Sequence, residues 1–362
     1  MKTHTLSVGL IGYGTSGRFL HAPLIQAAPG MELVAVVSGE PDRVRADLPE
    51  VEVLAKAPAL LARRDIDLVV IATPNATHYP LAKAALAAGK HLVIDKPMTV
   101  TLSEGRLLRG QAETAERMVS VFHNRRWDSD FLTLKALLEA GTLGRVVALE
   151  SRLDRFRPTV TDRWRDHHRP GSGIWFDLGP HLLDQVRALF GMPRAILLEL
   201  ATVREGAEVD DDFLCLLEYE GVRVTLQASS LVAEPTPRFR VHGTRGSYVS
   251  YGLDPQEARL RAGEPAGQEL GRAETPGRLT LAEDEASGAE AREHPSLPGN
   301  WSAYYAGIAE ALLRGAPPPV HLDEAMDVMT LLEAGLDSYR QGRWLRLKEG
   351  SELRRRLHAP GR

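Results

Sequence analysis

The chain predicts an α/β fold. An N-terminal doubly wound parallel sheet of the Rossmann type leads into an α+β domain with a large, mostly antiparallel open sheet. Three observations predict it. Short apolar runs alternate with helical segments over the first third. A Gly-x-Gly-x-x-Gly loop joins the first run to the first helix. After about residue 122 the rhythm changes to consecutive strands with hairpin turns.

"LSVGLIG" (Leu6–Gly12) is a β-rich run, and a helix follows from about Thr15 to Ala28. "ELVAVVS", "VEVL", "LVVIAT", "HLVIDKP" and "MVSVFHN" continue the series, with helices such as "THYPLAKAALAAG" between them. Uninterrupted apolar strands separated by helices are the pattern of a parallel sheet covered on both faces. "RVVALESRLDRF", "AILLELATVRE", "DDFLCLLEYEGVRVTLQASSL" and "PRFRVHGTRGSYVSYG" read as strands, with turns at "YEGVR" and "GTRGS". Alternation in "RVTLQA" and "RFRVHG" places one sheet face against a core. Residues 262–299 read as a long loop or irregular hairpin, and helices near 302–314 and 323–340 close the chain. The predicted boundary divides 1–122, a dinucleotide-binding domain, from 123–362, a substrate-binding and oligomerisation domain.

The 362 residues are 43% hydrophobic and 25% charged, with a net charge of −4, which leaves no basic footprint for nucleic acid or an anionic membrane. No apolar run approaches the ~20 residues a membrane span needs. The one cysteine, Cys215, lies in a strand-like run and reads as a buried small hydrophobe in a reducing compartment. The start of the chain shows no secretory leader pattern, so the expected location is cytoplasmic.

Gly12, Tyr13, Gly14, Thr15, Ser16 and Gly17 form the loop between strand and helix, the context a pyrophosphate cradle requires. Gly12 serves the turn, Gly14 the close approach of a phosphate and Gly17 the packing of helix on strand. An acidic residue at the end of the second strand would select NAD. Ser38 stands there instead, with Arg43 nearby, which favours NADP over NAD, although Glu40 opposes it. Thr73, Pro74, Asn75 and His78 end the fourth strand where a dinucleotide would pass, and Lys96 ends the fifth at the same cofactor-binding edge beside Asp95, a ready alternative partner. Pro97 adds a rigid bend that permits a cis peptide.

In "DLGPHLLDQVRALFGMP" (Asp177–Pro193), Asp177 and His181 stand four apart at the expected mouth of an apolar helix, with Pro180 in its first turn. On this stretch alone, helix capping is the simplest explanation.

The Gly12–Gly17 loop, Thr73-Pro74-Asn75 with His78, "DKP" at Asp95–Pro97 and the block "RWRDHHRPGSGIWFDLGPHLLDQ" together resemble the Gfo/Idh/MocA oxidoreductases. The resemblance spans essentially the whole chain. It is strongest toward the branch that includes NADP-dependent scyllo-inositol dehydrogenase. Asp95 replaces the family's usual Glu. The resemblance implies Lys96, Asp177 and His181 as the catalytic set. It also implies a polyol or sugar substrate bound by Lys96, Asp177 and His181, with Trp164 and Arg165 near the cofactor, while Asn124 and Arg125 follow the sixth strand into the expected cleft, placed to touch the nicotinamide end or a polyol. A homodimer or homotetramer is expected. Chemistry agrees with the assignment: an imidazole can take the hydroxyl proton as hydride leaves, and an ammonium can steady the oxyanion. Asp154, Arg155 and Arg157 are weaker candidates for substrate hydroxyls. Tyr304 and Tyr305 read as core. His167 and His168 lack further ligands at metal spacing, so no metal is expected. Two other readings remain open: reduction of another carbonyl or an imine, and a non-catalytic dinucleotide-binding regulator.

Overall fold

A computed structural model describes residues 5–282 and 288–347. Six strands build the first sheet: β1 (Leu6–Ile11), β2 (Met31–Val37), β3 (Glu52–Leu54), β4 (Leu68–Ile71), β5 (His91–Ile94) and β6 (Val119–Val121). Their order is β3-β2-β1-β4-β5-β6, and every pairing is parallel. The interleaved helices are α1 (Ala22–Gln26), α2 (Pro41–Asp47), α3 (Ala57–Leu61), α4 (His78–Ala87) and α5 (Leu102–Ala115). Strand β4, "LVVI", is buried along its whole length, which is why it reads as unbroken apolar sequence. Chain order reverses between β1 and β4, so a ligand crevice opens there at the carboxyl ends of the strands.

Helix α6 (Ser129–Glu139) leads into the second sheet through β7 (Val146–Arg152). Helix α7 (Ile174–Phe190) follows, then β8 (Ala195–Ala201), β9 (Asp212–Glu218), β10 (Arg223–Ser229), β11 (Pro237–Gly243) and β12 (Gly246–Tyr251). Next come α8 (Gln256–Arg261), β13 (Gly277–Leu281), β14 (Glu290–His294), α9 (Ser302–Arg314), α10 (Leu322–Gln341) and the short β15 (Leu345–Arg346). The sheet order is β14-β13-β12-β11-β7-β10-β9-β8-β15, antiparallel except for the β7–β10 pair. Residues 262–299 hold the β13–β14 hairpin, whose tip lies partly outside the described residues. Cys215 is fully buried in β9. Among the described residues no helix is long and apolar enough to cross a membrane.

Helix α7 is amphipathic, and its apolar stripe of Trp175, Leu178, Leu182 and Val186 lies in the main core with Phe213, Leu226 and α10. Trp175 meets Phe213 edge-on at 5.0 Å and donates its indole N–H to the Leu332 carbonyl. Helix α9 turns back onto the first sheet: Trp301, Tyr304, Tyr305 and Ile308 pack with Leu6, Val8, Leu10 and Phe122. The two tyrosines are therefore core, as the sequence reading expects.

The glycine loop is built on close approach. Gly12 holds φ +101°, and a Cβ there would strike the Ala72 carbonyl. A Cβ at Gly17 would strike the Gly12 carbonyl. Gly17→Ala should therefore lower stability by about 2 kcal/mol through overpacking, read as a lower urea midpoint at unchanged slope.

Candidate active site

Lys96 emerges from the carboxyl end of β5, and the Lys96–Pro97 bond is cis. Its ammonium does not pair with the neighbouring Asp95. It reaches across to α7, donating to the Asp177 main-chain carbonyl at 2.5 Å and to Oδ1 at 3.0 Å. Asp95 is engaged elsewhere: it accepts from Ser16 Oγ at 2.6 Å and from the Lys96 amide, and it lies 3.6 Å from His21 Nε2. Burial alone would raise the Asp95 carboxyl, but His21, Lys96 and Ser16 hold it far below the usual range.

Helix α7 begins earlier than its sequence suggests. Its first residue is Ile174, after Gly173 at φ +89°, so Pro180 sits inside the helix rather than in its first turn. Asp210 supplies the cap: its carbonyl accepts from the Ile174 amide and its carboxylate from the Trp175 amide, each at 2.8 Å. Capping therefore does not account for Asp177. Its carboxylate faces Lys96, with Arg165 Nε at 3.6 Å. Burial pushes this carboxyl up, yet Lys96 and Arg165 outweigh it and hold it well below normal.

His181 lies one turn further along the same face and is 7% exposed. Its Nδ1 is buried without a hydrogen-bond partner among the described residues. Burial, with the nearby charges of Lys96 and Arg125, drives the imidazole well below its usual value, so it is neutral at pH 7. Desolvation is the largest of these causes. Asp184, another turn on, was not singled out from sequence. Helical spacing from Asp177 and His181 is the signal that finds it. It anchors Arg126 at 2.7 Å, and Arg126 also binds Glu324 of α10. His123 is likewise buried near this group, 4.0 Å from Asp184.

The other expected site residues divide into two groups. Arg125 is buried, pairs with Asp128 at 3.0 Å and lies within electrostatic reach of His181; Asn124 is buried beside it. Trp164 stacks under Arg165, bringing that pair to Asp177. Around the crevice, Thr73 receives a hydrogen bond from Thr77, and Pro74 leads into a short turn at Asn75. Asn75 and His78 act as struts. Asn75 Nδ2 donates to the Gly171 carbonyl at 2.7 Å, tying the β4 end to the loop before α7. His78 is fully buried with its ring nitrogens against the carbonyls of Pro97 and Thr73, so it braces the Lys96 bend. Tyr13 donates to Asp47, Thr15 is exposed, and Ser16 is the Asp95 partner. At the β2 end, Ser38 Oγ accepts from the Glu40 amide, and Arg43 pairs with Glu40 at 2.5 Å. His167 is tied to Asp162 and Glu208. Among the described residues no group of three or more His, Cys, Asp or Glu is placed to hold a metal.

A dinucleotide fits this frame. A Cβ on Gly14 would meet nothing within 4 Å, so the middle of the loop faces open space where a phosphate is expected.

Comparison with known proteins agrees with that fit. The family model described as "Oxidoreductase family, NAD-binding Rossmann fold" matches residues 6–123, and the family's C-terminal alpha/beta domain model matches residues 135–347. The chain belongs to the Gfo/Idh/MocA oxidoreductase family. This Gfo/Idh/MocA protein is 52% identical over 334 residues to the uncharacterized oxidoreductase YdgJ of Escherichia coli, covering 92% of this chain and 96% of that one. It is 36% identical over 350 residues to the NADP(+) scyllo-inositol 2-dehydrogenase IolW of Bacillus subtilis, covering 96% and 97%. The solved YPO2259 oxidoreductase from Yersinia pestis superposes with a TM-score of 0.91 at 48% identity, covering 96% and 98%.

The burial of His181 has a measurable sign. The unfolded chain's imidazole binds its proton below about pH 6.5, and the native one only at lower pH, so this group takes stability away as pH falls through that window. In a histidine-ring NMR titration assigned with H181N, the His181 resonance should keep its neutral shift at pH 6. A midpoint at the free-imidazole value would contradict the burial argument.

Proposed function

We propose that the protein is an NAD(P)-dependent dehydrogenase acting on a CH–OH group of a sugar, cyclitol or related polyol, with NADP preferred. One observation carries this reading: Lys96 from the first sheet meets Asp177 on α7, beside a neutral His181 with an unpartnered nitrogen. The bound dinucleotide supplies the hydride acceptor in oxidation and the donor in reduction. His181 takes the hydroxyl proton in oxidation and returns it in reduction. Lys96 donates to the developing alkoxide. Asp177 orients Lys96 and accepts from a second substrate hydroxyl, and Arg125 lends positive charge from behind. Gly12, Gly14, Gly17, Thr73 and Pro74 line the dinucleotide path, with Asn124, Trp164 and Arg165 toward its nicotinamide end.

The relative named as an NADP(+) scyllo-inositol 2-dehydrogenase supports both the substrate class and the cofactor. Ser38 leaves room for a 2′-phosphate, and Arg43 would turn to it from Glu40. Self-association is part of the reading, since the outer face of the second sheet leaves Leu214 and Leu216 half-covered. A mass measurement in solution tests it. A cytoplasmic address rests on the lone buried cysteine.

Two measurements test the reading. With a panel of polyols and both cofactors followed by nicotinamide absorbance, Lys96→Ala should cut kcat/KM by roughly 10³ with the best alcohol. Full turnover in that variant would remove Lys96 from the chemistry. Arg43→Ala should lower kcat/KM with NADP about tenfold and leave the NAD value nearly unchanged, the loss of one charge-assisted contact.

A further inference from the structure

Beside Asp177 opens a shallow cleft whose wall carries five arginines: Arg155, Arg157, Arg163, Arg165 and Arg204. Their partners divide them. Arg163 is committed to Asp166 at 3.0 Å and Arg204 to Asp211 at 2.7 Å. Arg165 leans on Asp177, which Lys96 already engages more closely. Asp210 in the same wall is spent on the first amides of α7. The side chains of Arg155 and Arg157 have no ion pair or hydrogen bond among the described residues.

Main-chain hydrogen bonds fix the segment that carries both side chains. The amides of Arg155 and Arg157 donate to the carbonyls of Ser229 and Ser230, and the Arg155 carbonyl accepts from Val232. The segment therefore runs extended along the end of β10. Residues two apart share a face, and Phe156 between them bridges Leu231 and is exposed. Arg155 is half-buried and feels Asp177. Burial and the Arg157 charge make its cation less favourable, and no protein carboxylate is paired to it. Arg157 is exposed at the mouth of the same cleft, and two guanidinium groups lining one cleft without acids of their own suit a carboxylate or phosphate. The cofactor's 2′-phosphate does not explain them. It belongs at the β2 end, three strand spacings from β5, which is about 14 Å away.

We infer that the alcohol this enzyme oxidises carries an anionic group, a carboxylate or a phosphate monoester, held by Arg155 and Arg157 while its carbinol meets His181 and Lys96. The inference rests on the proposed hydride transfer and narrows its substrate from polyols in general to polyol acids or polyol phosphates.

Matched pairs test it on the full chain saturated with oxidised cofactor: D-glucuronate against D-glucose, and myo-inositol 1-phosphate against myo-inositol. Calorimetry reads binding and nicotinamide absorbance reads turnover. At least one charged member should bind tenfold or more tightly than its neutral counterpart, and the pair in which this happens distinguishes carboxylate from phosphate. Its Kd should weaken between 50 and 300 mM NaCl. The double variant R155Q/R157Q should bring the charged-to-neutral ratio to near one. Equal binding of charged and neutral members overturns the inference while turnover of neutral polyols leaves the dehydrogenase reading standing. A double variant that loses cofactor affinity instead assigns the guanidiniums to the pyrophosphate and also overturns it. Tight charged-ligand binding without nicotinamide reduction supports the anion site and counts against hydride transfer.

Discussion

Lys96 leaves the end of a buried parallel strand, and its ammonium ends on a carboxylate and a carbonyl of a helix 81 residues further along the chain. The rest of the candidate site is arranged around this crossing. It sets the distance between the nucleotide-holding sheet and α7. It holds Asp177 ionised in a place where burial alone would protonate it. It also adds to the field that keeps His181 neutral. The pair is only partly buried, with side chains 11% and 27% exposed, so its net contribution to stability is small and its role is geometric.

A geometric role needs rigid supports on both sides. On the first side, His78 and Asn75 fix the bends that follow β4 and β5, one by binding the Pro97 carbonyl and the other by reaching Gly171. On the second side, α7 is clamped to α10 by Arg126 and Arg187, which share Glu324 and add Asp184 and Asp327. These ion pairs are more buried than the Lys96 pair. Removing one member would strand its partner's charge in the interior, a far larger cost than losing a surface pair. Trp175 underneath completes the support by packing, with Gly335 of α10 so close that a side chain there would meet the indole.

The sequence was most legible where a single local rule governs the outcome. Parallel strands buried on both faces read as apolar runs, and the glycine loop reads from its position between strand and helix. Lys96 and Asp177 meet because each sits near an element end that opens on the same crevice. What stayed hidden depended on distant partners. The start of α7 is set by Asp210 and by the positive φ of Gly173, so the local Pro180 signal misplaced it. His78 read as a dinucleotide contact because the two carbonyls against its ring lie five and nineteen residues away. Arg155 and Arg157 read from sequence only as weak candidates for substrate hydroxyls, since only the folded chain shows which of the neighbouring arginines already have acids to bind.

Helix α9 has a consequence for how the chain is made. The apolar face of the first sheet, from Leu6 to Phe122, is closed by Trp301, Tyr304, Tyr305 and Val320, and Tyr305 completes a hydrogen bond to His21. During synthesis the nucleotide-binding half therefore emerges from the ribosome long before its own lid. It must wait, with an oily surface uncovered, for nearly two hundred further residues. Cut off after residue 122, the first half would leave that apolar surface open to water.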